Sequence, residues 1–212
     1  MSISQNPLTG LTRKSMGNFT LYKKGHKTII RSKPFEPKDP KTEEQLRQRS
    51  KFKLLAEVYT SFGGITDTGF VENMKDLTAY NLFVSINYRL VYDKNSKNPV
   101  VNYSRLLVSK GSIPGISVLE STLTGEGISL RYKTELELPK ASATDELTAL
   151  AKLKSGKLLI AKQVRGAGDT GIIVLACPNL NVAKVECCYM FARSNNGKLS
   201  SNSTYVELKH LT

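Results

Sequence analysis

The chain has 212 residues, enough for one large domain or two small ones, and its 40% hydrophobic and 23% charged residues are ordinary globular usage. That composition excludes a disordered, collagen-like or coiled-coil chain. Lys and Arg number 31 against 18 Asp and Glu, a net charge of +13 that attracts acidic or polyanionic partners and is silent on fold.

The first residues lack the basic start, apolar stretch and small-residue site of a secretory leader, and no apolar run reaches the ~20 residues of a membrane span. A cytoplasmic setting is expected. Charge is uneven: residues 1–53 hold 13 Lys/Arg and 4 Asp/Glu, a net of +9, which leaves +4 for the remainder. Within this basic quarter, residues 17–33 read as two short strands about a turn at Lys24 and Gly25, with Phe19, Leu21, Ile29 and Arg31 at alternating positions. Pro34, Pro37 and Pro40 follow at every third residue, and each disfavours helix in the residue before it, so an extended strap is expected there.

The strap ends at Thr42, whose hydroxyl with Gln45 makes a capping-box pattern that starts a helix. Phe52, Leu55, Tyr59 and Phe62 recur at three- and four-residue intervals as its apolar face, and Gly63 and Gly64 stop it. A second amphipathic helix is expected after a cap near Asp76 or Thr78, burying Leu82, Phe83, Ile86 and Leu90. Beyond Pro99 the pattern changes to short runs punctuated by Gly, Pro, Asn and Ser, the spacing of an all-β sandwich or barrel. Expected strands are 100–108, 116–123, 127–133, 147–153, 157–164, 171–177, 183–193 and 203–209. Residues 172–177 are apolar on both faces, which marks a central strand.

Few residues suggest chemistry. Gly166, Gly168 and Gly171 match the spacing of a dinucleotide fingerprint and follow a strand, but an apolar strand follows them where that fingerprint requires a helix, so a hairpin turn is expected. Cys177, Cys187 and Cys188 are odd in number with two adjacent, which argues against a disulfide framework. Adjacent strand residues face opposite ways, so one of Cys187 and Cys188 should point inward and the other out. The histidines are His26, in the basic hairpin, and His210, near the C-terminus, neither placed for a buried base or a metal shell. Glu135, Glu137, Asp145 and Glu146 are expected in solvated positions. No catalytic residue, metal site or cofactor is assigned, and the chain is expected not to be an enzyme.

The distinctive feature is the cluster Lys23, Lys24, His26, Lys27, Arg31 and Lys33 in the hairpin with Arg47, Arg49, Lys51 and Lys53 on the helix. Such cations neutralise phosphates without reading bases, which suits a sequence-independent nucleic-acid binder. They equally suit a strap and hairpin fastened to a protein subunit, the chain's own or a neighbour, with Phe19, Tyr22 and Phe35 as apolar anchors.

Gly17, Asn18 and Gly25, the run Arg31 to Pro34, Pro40 to Thr42, Gln45, and Arg49 to Phe52 form one set of motifs with Tyr103-Ser104, Ser109 to Gly111, Ala143 to Asp145 and Ser201 to Tyr205. Together they resemble an uncharacterised bacterial domain family of about the same length. The resemblance covers nearly the whole chain and implies an immunoglobulin-like β region after a helical N-terminal part. Leu130 or Tyr132 stands where such strands often carry tryptophan, which leaves the register of the sandwich open. The Pro-x-Thr-x-x-Gln strap is also similar to straps of some phage-type virion proteins.

The fold expected is α+β: a basic hairpin, a proline strap and two helices over 1–98, then an antiparallel immunoglobulin-like β-sandwich over 99–212, the two able to form one integrated domain. The function expected is a non-catalytic structural or interaction protein, cytoplasmic or virion-associated. Its N-terminal hairpin and strap dock on protein subunits, with nucleic-acid binding as the alternative. No membrane or small-molecule partner is expected.

Overall fold

The computed structural model describes residues 2–4, 14–24, 26–34, 39–73, 77–91 and 99–208. Contacts divide the chain into two units, Met1–Thr42 and Glu43–Thr212. The helices gather with the strands that follow them because their apolar faces share a core with the sheet.

The first unit is a sheet. Its strands are β1 (Ser2–Ser4), β2 (Lys14–Met16), β3 (Phe19–Lys24) and β4 (Lys27–Ser32), all antiparallel, in the order β1-β4-β3-β2. The expected hairpin is β3 with β4, in register from Phe19 opposite Ser32 to Lys24 opposite Lys27. The two flanking strands have three residues each, too short to show a period in sequence. Leu21 stands opposite Ile30 and Tyr22 opposite Ile29, so Phe19 and Leu21 share a face with Ile30, while Ile29 and Arg31 lie on the other. Residues 35–38 of the expected strap, Phe35 and Pro37 among them, lie outside the described residues.

The second unit opens with α1 (Glu43–Ser61), where the capping box put it, with Glu43 and Glu44 in the first turn against the positive end of the helix dipole. Gly63 and Gly64 end it with φ of 56° and 79°, a left-handed turn that a side chain rarely tolerates. The buried stripe is Lys51, Leu55, Val58 and Phe62. The expected stripe is off by one residue at two positions: Tyr59 is half-buried, and Phe52 is exposed and stacks on Tyr88 at 5.2 Å. Lys51 buries its stem and sets its ammonium 5.6 Å from the same Tyr88 ring.

A short helix α2 (Ile65–Gly69) follows, then α3 (Ala79–Val91), capped by Thr78 Oγ1, which accepts the Asn81 N–H at 3.2 Å. Leu82 and Phe83 are buried as expected and Ile86 is half-buried; the Leu90 side chain is outside the described residues. Asn87, also buried, donates to Phe83 O and Leu107 O and accepts from Leu107 N–H at 2.8 Å, so its amide is satisfied by its own helix and the passing chain.

Seven of the eight expected strands are present: β5 (Val118–Thr124), β6 (Gly127–Lys133), β7 (Glu146–Leu153), β8 (Leu158–Val164), β9 (Thr170–Ala176), β10 (Val185–Arg193) and β11 (Thr204–Tyr205). The eighth, 100–108, is instead a 3-10 turn over Tyr103–Arg105, because the Asn102 side chain takes the Ser104 N–H that a ladder would have used. All pairings are antiparallel, in one sheet β11-β10-β7-β8 and another β5-β6-β9. The chain is therefore α+β.

Both sheets contribute to one core. Ile128, Leu130, Tyr132, Ile173 and Leu175 meet Leu147, Ala149, Ala151, Cys188, Met190 and Ala192 between them. The other face of the four-stranded sheet, with Leu150, Cys187, Tyr189 and Phe191, shares a second core with Leu55, Phe62, Phe70 and Phe83 from the helical segment. Two sequence expectations change here. Both Cys187 and Cys188 are buried, because helices cover the face that would otherwise meet water. Strand β9 is an edge rather than a central strand, with Ile172 59% and Val174 40% exposed.

A polar joint ties the helical segment to the end of the sheet. Ser109 Oγ lies 2.9 Å from Gly69 O and 2.6 Å from Ser201 O, and Ser200 Oγ lies 2.9 Å from Gly69 O. Ser203 Oγ accepts Val108 N–H at 3.0 Å, and Glu72 Oε1 accepts the N–H groups of Ser112 and Ser200, each at 2.8 Å. A Cβ at Gly69 would stand 2.7 Å from Ser109 Cβ and from Val108 O. Gly69→Ala should therefore lower the unfolding free energy by about 2 kcal/mol in urea denaturation, as overpacking does.

Burial opposes the ionisation of Glu72, but the N–H donors of Ser112 and Ser200 outweigh it and hold the carboxyl below its ordinary range. A carboxyl depressed in the folded chain stabilises it at neutral pH, and that stability is lost as pH falls through the folded value. The urea midpoint should drop on acidification below the ordinary carboxyl range, and Glu72→Gln should flatten that acid limb.

Candidate docking surface

Six of the eight proposed contact residues lie in the first unit. Hairpin register puts Lys24 opposite Lys27 and Lys23 opposite Thr28, which gathers cations at the turn end of the β3–β4 ladder. His26, Lys27, Arg31 and Lys33 are exposed. Lys33 N–H donates to Asn18 O at 2.7 Å and so closes the open end of the hairpin. Thr28, Ile29 and Ile30, β-branched residues in succession, favour the extended backbone that carries these cations. Phe19, 50% exposed, and Tyr22, 37% exposed, add an apolar surface on each face of the sheet.

Arg47 and Arg49 lie elsewhere, on α1 of the second unit. Arg49 is exposed; Arg47 is half-buried, and its Nε and one terminal nitrogen have no hydrogen-bond partner among the described residues. The structure thus groups six of the eight in one hairpin and places the other two on a different element.

Ionisable groups elsewhere in the second unit are committed to one another. Asp145, expected in solvent, is buried and faces the fully buried Arg165, with Nε 3.7 Å from Oδ2. Its carboxylate also accepts Ser142 N–H at 2.9 Å, and Arg165 donates to Thr134 O at 3.2 Å. Burial pushes the Arg165 guanidinium down, while Asp145 and then Glu135 pull it back up. Glu146, next in sequence, is half-exposed and paired with Lys162 at 2.8 Å.

Lys152, nearly buried, sets its ammonium 2.9 Å from Glu186 and 3.2 Å from the Tyr103 hydroxyl. Burial alone would lower its pKa, but hydrogen bonds to Glu186 and Tyr103 outweigh that and raise it, so it stays protonated and is a poor nucleophile. Burial pushes the Cys187 thiol up to about 12 and Cys188 further still, which leaves both as thiols at neutral pH. The glycine-rich run bends over residues 166–169 before Thr170 and Gly171 enter β9, and it joins β8 of one sheet to β9 of the other, so it is a crossover rather than a hairpin. Tyr132 lies directly against Gly171, in the space where a Cβ would stand, and its hydroxyl donates to Arg165 O at 3.1 Å.

Sequence reasoning missed the joint of Gly69, Glu72, Ser109 and Ser200 and the Asp145–Arg165 pair. Ser109 to Gly111, Ser201 to Tyr205 and Ala143 to Asp145 had stood out as motifs, and the structure makes each of them a structural contact. Removing one member of a buried pair strands the other, so Asp145→Ala should cost about 3 kcal/mol in urea denaturation. Asp145→Ala combined with Arg165→Met should recover much of that loss.

No curated protein and no solved structure matches this chain. A family model does, over residues 13–207, from just before β2 to just after β11 and through both units. The chain belongs to that family, a family of unknown function (DUF6266).

Proposed function

We propose that the protein is a non-catalytic structural or interaction protein that docks on a protein subunit, its own or another, through the N-terminal sheet. One observation carries this reading: the described strands of Met1–Thr42 form a single layer of sheet, with Phe19 and Tyr22 exposed among cations. A sheet needs a second layer to bury its apolar face, and the described residues of this unit supply none. Thr28 and Ile29 are its only buried residues among those described. Charge concentrates in it as well. It holds 9 Lys/Arg against 2 Asp/Glu in 42 residues, a net of +7, whereas the 170 residues from Glu43 onward carry +6.

The strands of the second unit are read as an immunoglobulin-like sandwich serving as a rigid body. The first, second and fifth of the seven lie in one sheet and the third, fourth, sixth and seventh in the other. This is the constant-type arrangement with the fourth strand moved across to pair with the third. Virion-like assembly is the setting that the strap resemblance favours.

The second reading is sequence-independent polyanion binding, favoured by Lys24 facing Lys27 in register with Arg31 and Lys33 further along. A photo-crosslinking residue at Tyr22, with a control at exposed Lys154, distinguishes the two in the cell that makes the protein. Docking expects a discrete protein adduct at Tyr22 that survives nuclease and high-salt lysis. Nuclease-sensitive adducts support the second reading. In that case binding to a random duplex should fall with salt at a log-log slope of several, and reversing Lys23, Lys24 and Lys27 to Glu should flatten the slope by about three units. Equal labelling at Tyr22 and Lys154 would remove both readings.

A further inference from the structure

The turn that follows β10 carries a chemically labile pair. Asn196 is the one asparagine in the chain that glycine follows. Glycine has no side chain to shield its backbone nitrogen, so Gly197 N is well able to attack the carboxamide carbon of the residue before it. Asn196 is exposed, between the end of β10 at Arg193 and the buried Ser200.

Hydrogen bonds close this turn at each atom the attack would use. Gly197 N–H donates to Ser194 O at 2.8 Å. Asn196 Oδ1 accepts from Ser194 Oγ at 2.7 Å and from Lys198 N–H at 3.0 Å. Arg193 donates from Nη2 to Gly197 O at 3.1 Å, and Gly197 takes a left-handed φ of 70°. Ser194 N–H donates to Leu199 O at 3.0 Å, and Ser194 Oγ accepts Leu199 N–H at 2.9 Å. Bringing Gly197 N against Asn196 Cγ breaks the bond to Ser194 O and pulls Oδ1 from its two donors. Losing these three ordinary hydrogen bonds makes the reactive arrangement rarer by about a hundredfold.

The same turn positions the polar joint. Arg193 pairs with Ser200 across it, and Ser201 N–H donates to Ala192 O at 2.8 Å. Ser200 N–H then reaches Glu72, Ser200 Oγ reaches Gly69 O, and Ser201 O accepts from Ser109 Oγ. Closure of the turn therefore sets the place of the residues that fasten the helical segment to the sheet.

We infer that Asn196 is a deamidation site kept latent by its turn, and that its conversion releases the joint of Gly69, Glu72, Ser109 and Ser200. Gly197 N gives up its proton and forms a C–N bond to Asn196 Cγ. The side-chain amide takes up a proton and leaves as ammonia, which closes a succinimide ring. Water, the other reactant, opens that ring at either carbonyl to give aspartate or isoaspartate, with nothing oxidised or reduced. Isoaspartate lengthens the main chain by a carbon atom inside the turn and adds a carboxylate, so Arg193 and Ser200 no longer pair as before. The change is irreversible, and its extent records how long the turn has stood open. This device is independent of the N-terminal docking surface.

The full chain, aged at mildly alkaline pH and digested with trypsin, tests the inference, because the fragment 194–198 gains mass when its amide becomes an acid. Fragmentation assigns the gain to Asn196 rather than Asn195. Conversion should be at least about tenfold slower in the folded chain than in the same chain unfolded in guanidinium chloride. Ser194→Ala, which removes a donor to Oδ1, should speed it in the folded chain by about threefold or more, and Arg193→Gln, which frees Gly197 O, should do the same. The converted chain separates on ion exchange by its added negative charge. Its amides at Ser200 and Ser201 should exchange hydrogen at least about tenfold faster than in the parent, with Leu130 of β6 unchanged. Equal rates in the folded and unfolded chain overturn the proposal, as does a folded rate that neither variant raises. A converted chain whose Ser200 and Ser201 stay as protected as in the parent overturns the link to the joint.

Discussion

The fold depends on one strand pair being buried on both faces. Strands β7 and β10 lie in the middle of their sheet and pair from Val185 opposite Leu153 to Arg193 opposite Glu146, with a bulge after Val185. Their two faces differ in size. Ala149, Ala151, Cys188, Met190 and Ala192 turn toward the second sheet, where close approach favours small side chains, while Leu150, Tyr189 and Phe191 turn toward the helices. A slip of one residue would exchange the two sets and drive aromatics between the sheets, so register is fixed by volume as much as by hydrophobicity. The same asymmetry directs the helices, because Phe62 meets Tyr189 edge-on at 6.0 Å and Phe70 meets Phe83 at 6.2 Å.

Tyr189 also reaches out of that core. Its hydroxyl donates to Tyr103 O at 2.7 Å, and burial raises its pKa so far that the phenol stays neutral. That bond pins the segment between α3 and β5, which Asn87 holds at Leu107 and Ser203 at Val108. A stretch that sequence pattern made a strand is thereby placed without a ladder, through side chains from three separate parts of the chain. The polar residues of the second unit that look chemically suggestive in isolation, Asp145, Arg165, Lys152 and Glu72, each face a protein partner, although Arg165 Nε and one terminal nitrogen make no hydrogen bond among the described residues.

What the sequence made legible follows from what is local. Periodicity and glycine or proline punctuation placed α1, α3 and seven strands to within a few residues, since alternation and helical spacing are properties of neighbouring positions. Layering was not legible. One of Cys187 and Cys188 was expected to face water, and Asp145 too, because nothing local says that helices cover one face of β10, or that Arg165 waits twenty residues on. Phe52 was expected inside for a related reason: the stripes 52-55-59-62 and 51-55-58-62 are equally helical, and a lysine stem is long enough to be buried in place of a phenylalanine. The basic cluster was legible as composition, but its division between a hairpin and a helix of another unit is a tertiary fact.

Strand β9 shows how a correct local reading can reverse in meaning. A run of seven uncharged residues normally belongs in the middle of a sheet, because burial on both faces and hydrogen bonding on both edges remove it from water. Here one face is covered, the edge toward β6 is paired, and β8 lies alongside the other without a ladder, so only the outer face meets water. The contrast with the first unit is electrostatic: its hairpin is crowded with lysines, whereas β9 carries no charge.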